Sequence, residues 1–450
     1  MTSRRNFVLG LALGTTAVPL GAACGAQAGT PADSPPAAAG PPAKVNFFWR
    51  ANSGPYFEQA DEKAKLFNER FPQYQVEVTH QAGNYTEKVT ALFASGDPPH
   101  TFWTDHQDIL PNLKQGWLED LTPISKSDRG FRSADYHPAS TDSLTVQGKL
   151  YGLSGGSFTA GWFYNRALYA KVGAPTPAEL MKQGKWTWEA LVDGAKRITT
   201  AGGGEVIGMG NGTPGVRMWL NSNGVQEVDD LKFPTKSFYD TPQAVQAVEF
   251  WTDTQLKHTV RNPEFGRGVQ GGETTLFVDG KLGAMSRWTT GLSEFIKIKD
   301  FGWGMVPFPR GPQGKGPAGE FTFWGFTMAK GLKDERVKRG AWEWLKLYSG
   351  KEGQMIEGGK YLLSLPFDKA AMEEWRKRVA STTMEFPELI FELRDKYPNQ
   401  RIMAPDRGEI NQLHAEPLKE VWTGQKSAQA GCTEAARLVN EFLKQSPQRF

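Results

Sequence analysis

Cysteine, long apolar runs and an excess of charge of one sign are all scarce in this sequence. Its 450 residues include two cysteines, too few for a disulfide framework, so we expect no disulfide. The 52 lysines and arginines nearly balance the 49 aspartates and glutamates, which argues against a nucleic-acid or anionic-membrane surface. The most apolar stretch, residues 8–20, is shorter than the roughly 20 residues that cross a bilayer. We therefore expect no transmembrane helix.

The motifs of common enzyme sites are also missing. The six histidines show no metal-ligand spacing, and the glycines at 202–204 lack both a P-loop lysine and Rossmann spacing. No Gly-x-Ser-x-Gly elbow occurs. The sequence therefore predicts no metal site, no cofactor and no enzyme. A glycosidase-like pair of carboxylates, about 5–10 Å apart in the folded protein, stays open as an alternative.

The first 24 residues predict an export signal that is not part of the fold. The run Ser-Arg-Arg-Asn-Phe at residues 3–7 is typical of a twin-arginine signal. Cys24 closes a Leu-Gly-Ala-Ala-Cys run that resembles a lipobox, although Gly21 stands where leucine is usual. Cleavage there would make Cys24 an acylated N-terminus. Ordinary signal cleavage near Ala28 is the alternative.

Residues 25–43 predict a disordered tether. They are rich in alanine, proline and glycine and contain almost no large apolar side chain, so they cannot bury enough surface to become ordered. A tether of this kind suits a membrane-anchored protein. For that reason we favour lipidation of Cys24 and an extracytoplasmic location at the cell membrane.

From residue 44 onward, short apolar strands alternate with amphipathic helices. Strand patterns at 45–49, 76–79 and 101–103 are separated by helical patterns, the second of which covers residues 85–94. This alternation predicts an α/β fold in which a mostly parallel sheet is flanked by helices. The chain is too long for one ordinary core, so two lobes are expected. In such sheets, ligands bind beyond the carboxyl ends of the strands.

The stretch from Phe277 to Phe326 carries a family resemblance. It opens as the end of a helix, a Gly280 turn and a short strand through Ala284 and Met285 that leads to Trp288 in a polar loop. This pattern resembles the signature of extracellular solute-binding protein family 1. That family comprises sugar-binding lipoproteins of ABC importers and is related to maltose-binding protein.

The resemblance implies a two-lobed periplasmic-binding-protein fold (type II-like) with a ligand cleft between the lobes. Residues 44–155 and 326–370 would form the first lobe, and residues 157–323 and 375–450 the second. The protein would be a monomer that captures a mono- or oligosaccharide by hinge closure and delivers it to membrane permease subunits. The alternatives are a secreted carbohydrate-active enzyme, or a binder of a polyamine, glycerol phosphate or peptide. An anionic ligand would favour basic residues in the cleft, and only Arg50, Arg217 and Arg287 are expected nearby.

A sugar site needs aromatic rings that stack on C–H faces and planar polar groups that bond adjacent hydroxyls. Loop position and the family resemblance suggest both kinds of residue near the cleft. By contrast, Trp186, Trp188, Trp251, Trp342 and Trp344 are predicted to pack in the core. The predicted ligand-binding residues are Asn52, Trp103, Asp105, Trp219, Asn221, Trp288 and Trp324.

Overall fold

A computed structural model describes residues 40–447, except 52, 53, 137, 213, 214, 263, 265–271 and 397–400. The predicted signal, Cys24 and Asn52 lie outside the described residues. The first strand begins at Ala43, so the last residue of the predicted tether belongs to the fold. Within the described part of the chain, no helix is both long and apolar enough to span a bilayer.

The strands follow one another along most of the folded chain. In chain order they are β1 Ala43–Arg50, β2 Tyr74–Gln81, β3 Thr101–Asp105, β4 Thr145–Val146, β5 Lys149–Leu150, β6 Gly152–Leu153, β7 Gly156–Asn165, β8 Ile207–Met209, β9 Leu282–Trp288, β10 Trp303–Val306, β11 Glu320–Met328, β12 Leu365–Pro366 and β13 Met384–Glu385.

Helices separate most of these strands, together with short 3-10 helices and one π-helix, Met355–Lys360. The α-helices are α1 Gly54–Arg70, α2 Tyr85–Ala94, α3 Ile109–Lys114, α4 Thr122–Ser127, α5 Pro138–Ser143, α6 Arg166–Lys171, α7 Pro177–Lys182, α8 Trp188–Gly202, α9 Val216–Ser222, α10 Pro242–Leu256, α11 Glu273–Val278, α12 Leu292–Phe295, α13 Glu335–Ser349, α14 Lys351–Gln354, α15 Lys369–Ala380, α16 Glu388–Lys396, α17 Arg407–Trp422 and α18 Ala428–Gln445.

The sheet is mixed rather than mostly parallel. β1 pairs in parallel with β2 and β3, as expected, and β8–β9 and β10–β13 are also parallel. At the centre, however, β11 runs antiparallel to both β3 and β7, and β7 runs antiparallel to β9 and β10. The reason is that β7 and β11 carry the chain between the lobes in opposite directions, which the alternation of strands and helices does not reveal.

One strand, β11, belongs to both lobes. Its residues 320–323 pair with β7, and its residues 324–328 pair with β3. The change of partner falls between Phe323 and Trp324. Residues on this strand are therefore placed where the two lobes meet.

Each lobe has its own aromatic core. In the first lobe, α13 turns an apolar stripe towards β1, so Trp344 and Tyr348 pack on Phe47 with ring centroids 5.3 and 5.1 Å away. In the second lobe, one cluster joins Trp162, Trp188, Trp219 and Trp251 to residues of α17 and α18. The five tryptophans predicted to pack in the core, Trp186, Trp188, Trp251, Trp342 and Trp344, are all buried.

Candidate functional site

A cavity of about 320 Å³ lies at the junction of the two lobes. Strands of both lobes contribute to it, and its lining combines aromatic rings, hydroxyls, one carboxylate and two guanidinium groups. The lining residues are Arg50, Tyr56, Trp103, Asp105, Phe158, Trp288, Thr290, Thr322, Trp324 and Arg401.

Strand register explains why several of these side chains meet. Thr322 and Trp324 are two residues apart on β11 and therefore point to the same face of the sheet. Trp324 is opposite Asp105 on β3, and Thr322 is opposite Phe158 on β7. Because opposite residues on paired strands share a face, all four side chains converge on the cavity.

Trp324 is the centre of an aromatic wall. Its ring centroid lies 4.2 Å from that of Phe158, 5.7 Å from Tyr56 and 6.1 Å from Trp103. Rings at these separations support one another by edge and offset contacts. The wall gives the cavity a broad apolar surface on which a flat C–H face can stack.

Asp105 supplies a buried acceptor. Its carboxylate accepts hydrogen bonds from Gln107 Nε2 at 3.1 Å and from the Gln107 backbone N–H at 3.4 Å. His106 Nδ1 lies 3.0 Å from Asp105 Oδ1. Burial alone would raise the pKa of Asp105, but the hydrogen bond from His106 and the charges of Arg401 and Arg407 hold it below its ordinary value. The carboxylate is therefore ionised at neutral pH.

Two arginines lie against tryptophans of the cavity. The guanidinium carbon of Arg50 is 4.9 Å from the ring centroid of Trp103, and that of Arg401 is 4.8 Å from Trp288. Both are within the range of a cation–π contact. Arg401 also pairs with Glu320, whereas no carboxylate among the described residues is within ion-pair distance of Arg50.

The structure brings together four of the predicted site residues: Trp103, Asp105, Trp288 and Trp324. Trp219 does not join them. It is 1% exposed and its ring stacks on Trp251 at 5.5 Å, because α9 turns it into the core of the second lobe. Asn221, on the same helix, is also absent from the cavity lining, and Asn52 lies outside the described residues.

Sequence reasoning missed Tyr56, Phe158, Thr290, Thr322 and Arg401 as site residues, and it noted Arg50 only as a basic residue nearby. Thr322 could have been found, because strand alternation places it on the same face as Trp324. Arg401 gave no such signal. It follows α16 far along the chain and reaches the cavity only through tertiary folding.

Two ion pairs join the lobes beside the cavity. Asp108, the last residue of the 3-10 helix that follows β3, pairs with Arg407 at the start of α17, and Lys114 at the end of α3 pairs with Asp406. The two contacts are reciprocal, since each side provides one acid and one base. They connect the segment that carries Asp105 to the second lobe.

Residues 50–355 match the family described as bacterial extracellular solute-binding proteins. The chain belongs to this family. The family predicted from the sequence is thus confirmed, and so is the two-lobed fold with flanking helices. The protein is an ABC-type solute-binding protein; proteins of this kind bind small molecules and interact with permeases.

Individual relatives bind different solutes. The sn-glycerol-3-phosphate-binding periplasmic protein UgpB of Escherichia coli O1:K1 / APEC is 24% identical over 88% of this chain and 92% of its own length. T. maritima MalE3, solved with maltose bound, has a TM-score of 0.74 at 20% identity, covering 89% of this chain and 100% of that one. UgpB from Mycobacterium tuberculosis, solved with glycerophosphocholine, has a TM-score of 0.72 at 16% identity, covering 89% and 98%.

Proposed function

We propose that this protein captures a small carbohydrate outside the cytoplasm and delivers it to the membrane permease of an ABC importer. The observation that carries the proposal is the convergence of aromatic rings and polar groups from both lobes on one cavity. Its volume of about 320 Å³ suits a solute of mono- to disaccharide size. Larger oligosaccharides would have to extend out of the cavity.

Each part of the lining has a role in this proposal. Trp288 and Trp324 stack on C–H faces of the sugar, which removes apolar surface from water. Asp105 accepts hydrogen bonds from hydroxyls, and its negative charge makes those bonds stronger than neutral ones. Thr290 and Thr322 provide hydroxyls that can donate or accept.

A phosphorylated polyol is the second candidate solute. Arg50 lines the cavity without a carboxylate partner among the described residues, and Arg401 adds a second guanidinium. Guanidinium groups bind phosphate oxygens in a planar, two-pronged geometry. The similarity to glycerol-3-phosphate-binding relatives over 88% of the chain supports the same candidate.

A thermal-shift panel separates the two candidates. A solute present at 100 times its Kd should add about 2.7 kcal/mol to the free energy of unfolding. The panel would include glucose, maltose and maltotriose, with sn-glycerol 3-phosphate and glycerophosphocholine as the anionic set. Stabilisation by a neutral sugar supports the first candidate, and stabilisation by the anions alone would replace it with the second.

Arg50→Gln provides a matched variant for this panel. It removes the charge at the edge of the cavity and keeps hydrogen-bonding capacity. Affinity for an anionic solute should fall by roughly tenfold or more, whereas affinity for a neutral sugar should change little. Calorimetric titration at two salt concentrations measures both, because charge-based affinity weakens as salt rises.

The solute is released unchanged in this proposal. The prediction that the protein is not an enzyme rests on the lack of a recognised catalytic motif and on membership of a family of solute-binding proteins. The stabilising solute would be incubated with protein and then analysed by chromatography. A product that accumulates with time and with protein concentration would contradict the proposal.

Attachment to the membrane through an acylated Cys24 is also part of the proposal. The predicted twin-arginine signal, the lipobox-like run and the predicted tether at residues 25–43 support it. Mass spectrometry of the exported protein tests it. A diacylglyceryl-modified peptide that starts at Cys24 is expected, and an unmodified N-terminus at Gly29 would show ordinary cleavage instead.

A further inference from the structure

A buried carboxylate lies beside the cavity and binds two arginines. Glu320, the first residue of β11, is 0% exposed. Arg217 binds it through two nitrogens: Nη2 lies 2.9 Å from both oxygens and Nε lies 3.2 Å from Oε2. Arg401 uses only Nε, which donates to Oε1 at 2.5 Å. Glu320 is therefore fixed by Arg217 through two nitrogens and binds Arg401 through one.

Strand register fixes where Arg401 can lie. Glu320 of β11 and Trp288 of β9 are both opposite Ala160 of β7, on its two sides. The three residues form one row across the sheet and share a face, with Glu320 and Trp288 two strand spacings, about 10 Å, apart. The small side chain of Ala160 leaves the space between them open. The Arg401 guanidinium occupies this space, bonded to Glu320 and in contact with the Trp288 ring.

We infer that Glu320 is a positioning residue that sets the solute preference of the cavity through Arg401. By binding Nε alone, it fixes the guanidinium plane and leaves the Nη groups for the solute, since they make no hydrogen bond to a described residue. Its single negative charge offsets one of the two arginines, so Glu320, Arg217 and Arg401 together carry a net charge of +1. The identity of the solute rests on the proposed function, but the positioning of Arg401 does not.

Two variants at Glu320 separate orientation from charge. Maltose serves as the neutral probe and sn-glycerol 3-phosphate as the anionic probe. Glu320→Gln keeps the shape but removes the charge, so affinity for maltose should fall by about tenfold. The ratio of anionic to neutral affinity should rise by at least about tenfold at low salt. Glu320→Asp keeps the charge but retracts it by one methylene, so affinity for both probes should fall while their ratio stays within about twofold.

The effect should pass through Arg401. In an Arg401→Ala background, adding Glu320→Gln should leave the ratio unchanged, because the group that Glu320 positions is gone. A further rise of the ratio in that background would overturn the inference. Glu320 keeps Arg217 as its partner in the Arg401→Ala variant, so the fold should stay intact.

A second measurement needs no solute. Phenylglyoxal modifies accessible arginines, and peptide mass mapping gives the rate at each one. Arg407 is the matched control, because it has the same 22% side-chain exposure as Arg401 and is likewise ion-paired. In Glu320→Gln, labelling of Arg401 should rise several-fold while that of Arg407 stays as in the parent protein. Equal rises at both sites would show general loosening and would overturn the inference, as would no rise at Arg401.

The two measurements fail separately. If neither probe binds the parent protein, the proposed solutes are wrong, and the labelling experiment still decides whether Glu320 positions Arg401. If the probes bind but neither the labelling nor the affinity ratio changes, the proposed function stands and this inference falls.

Discussion

Replacing Trp288 with alanine should weaken solute binding and leave the fold intact. Trp288 is half-buried at the end of β9 and contributes in two ways. Stacking on the solute is worth roughly 0.5–1.5 kcal/mol beyond burial. The second is a cation–π contact that helps to hold Arg401 in place, but it forms with or without solute and so adds nothing directly to the binding energy. Stacking alone, about 0.5–1.5 kcal/mol, corresponds to a loss of affinity of roughly 2- to 13-fold.

Trp219→Ala is the matched control because it removes the same side chain from the core of the second lobe. Trp219 is 1% exposed and contacts the rings of Trp162, Trp188 and Trp251. Its loss should cost about 3–5 kcal/mol of stability through the cavity it leaves. At roughly 2–4 °C per kcal/mol for a domain of this size, Tm should fall by about 6–20 °C.

Calorimetric titration and thermal melts on both variants test the pair. Trp288→Ala should lose affinity with a change in Tm of no more than about 3 °C, while Trp219→Ala should lose Tm but keep its affinity where it is folded. If Trp288→Ala binds the solute as the parent protein does, Trp288 is not part of the binding site. If Trp219→Ala loses affinity at full stability, the placement of Trp219 in the core is wrong.

Three further perturbations test the electrostatics of the fold. Lys63→Met should lower the free energy of unfolding by about 3–5 kcal/mol in a denaturant melt, because it leaves Glu357 buried without its partner at 2.7 Å. Adding Glu357→Gln should restore most of this loss. A double variant as unstable as the single one would contradict the expectation. Burial lowers the pKa of His414 to about 3, so as the pH falls through 6.5 the unfolded chain takes up a proton that the folded chain does not. About 1.6 kcal/mol of stability should be lost between pH 6.5 and 5, and His414→Gln should remove this slope from pH-dependent melts. A slope that persists in the variant would show that His414 titrates normally. If the ion pair between Asp108 and Arg407 favours the closed form, Asp108→Asn and Arg407→Gln should each weaken solute affinity roughly three- to tenfold. The double variant should bind no more weakly than either single one. Additive losses would show that the two residues act separately.

Local pattern predicted much of this fold. The strand β1 and the apolar stripe of α13 follow from alternation and helical spacing, which depend only on neighbours in the chain. The direction of β7 and β11 could not be predicted in that way, because it depends on how often the chain crosses between lobes. The burial of Trp219 could not be predicted for a related reason. A tryptophan on a short helix looks the same in sequence whether it faces solvent or core.

The residues of the candidate site likewise fall into those that local sequence pattern can predict and those that it cannot. Residues at strand ends, such as Trp103 and Asp105, can be predicted because the carboxyl ends of parallel strands gather at one edge of a sheet. Arg401 cannot, because it follows a helix and, among the described residues, is held by Glu320 and Trp288. A sequence reading that stopped at strand ends would therefore describe the aromatic part of the cavity and underestimate its positive charge.

The shared strand β11 gives a physical reason why a solute in this cavity would favour closure. Trp324 and its partner Asp105 belong to the part of the sheet formed with β3, whereas Thr322 and its partner Phe158 belong to the part formed with β7. Bending at residues 323–324 would separate these two pairs, so a solute that touches both binds the closed form more tightly. A ligand shifts an equilibrium only by its difference in affinity for the two states. A difference of about 1.4 kcal/mol changes the ratio of closed to open tenfold, and the contacts with one of these pairs are enough to supply it.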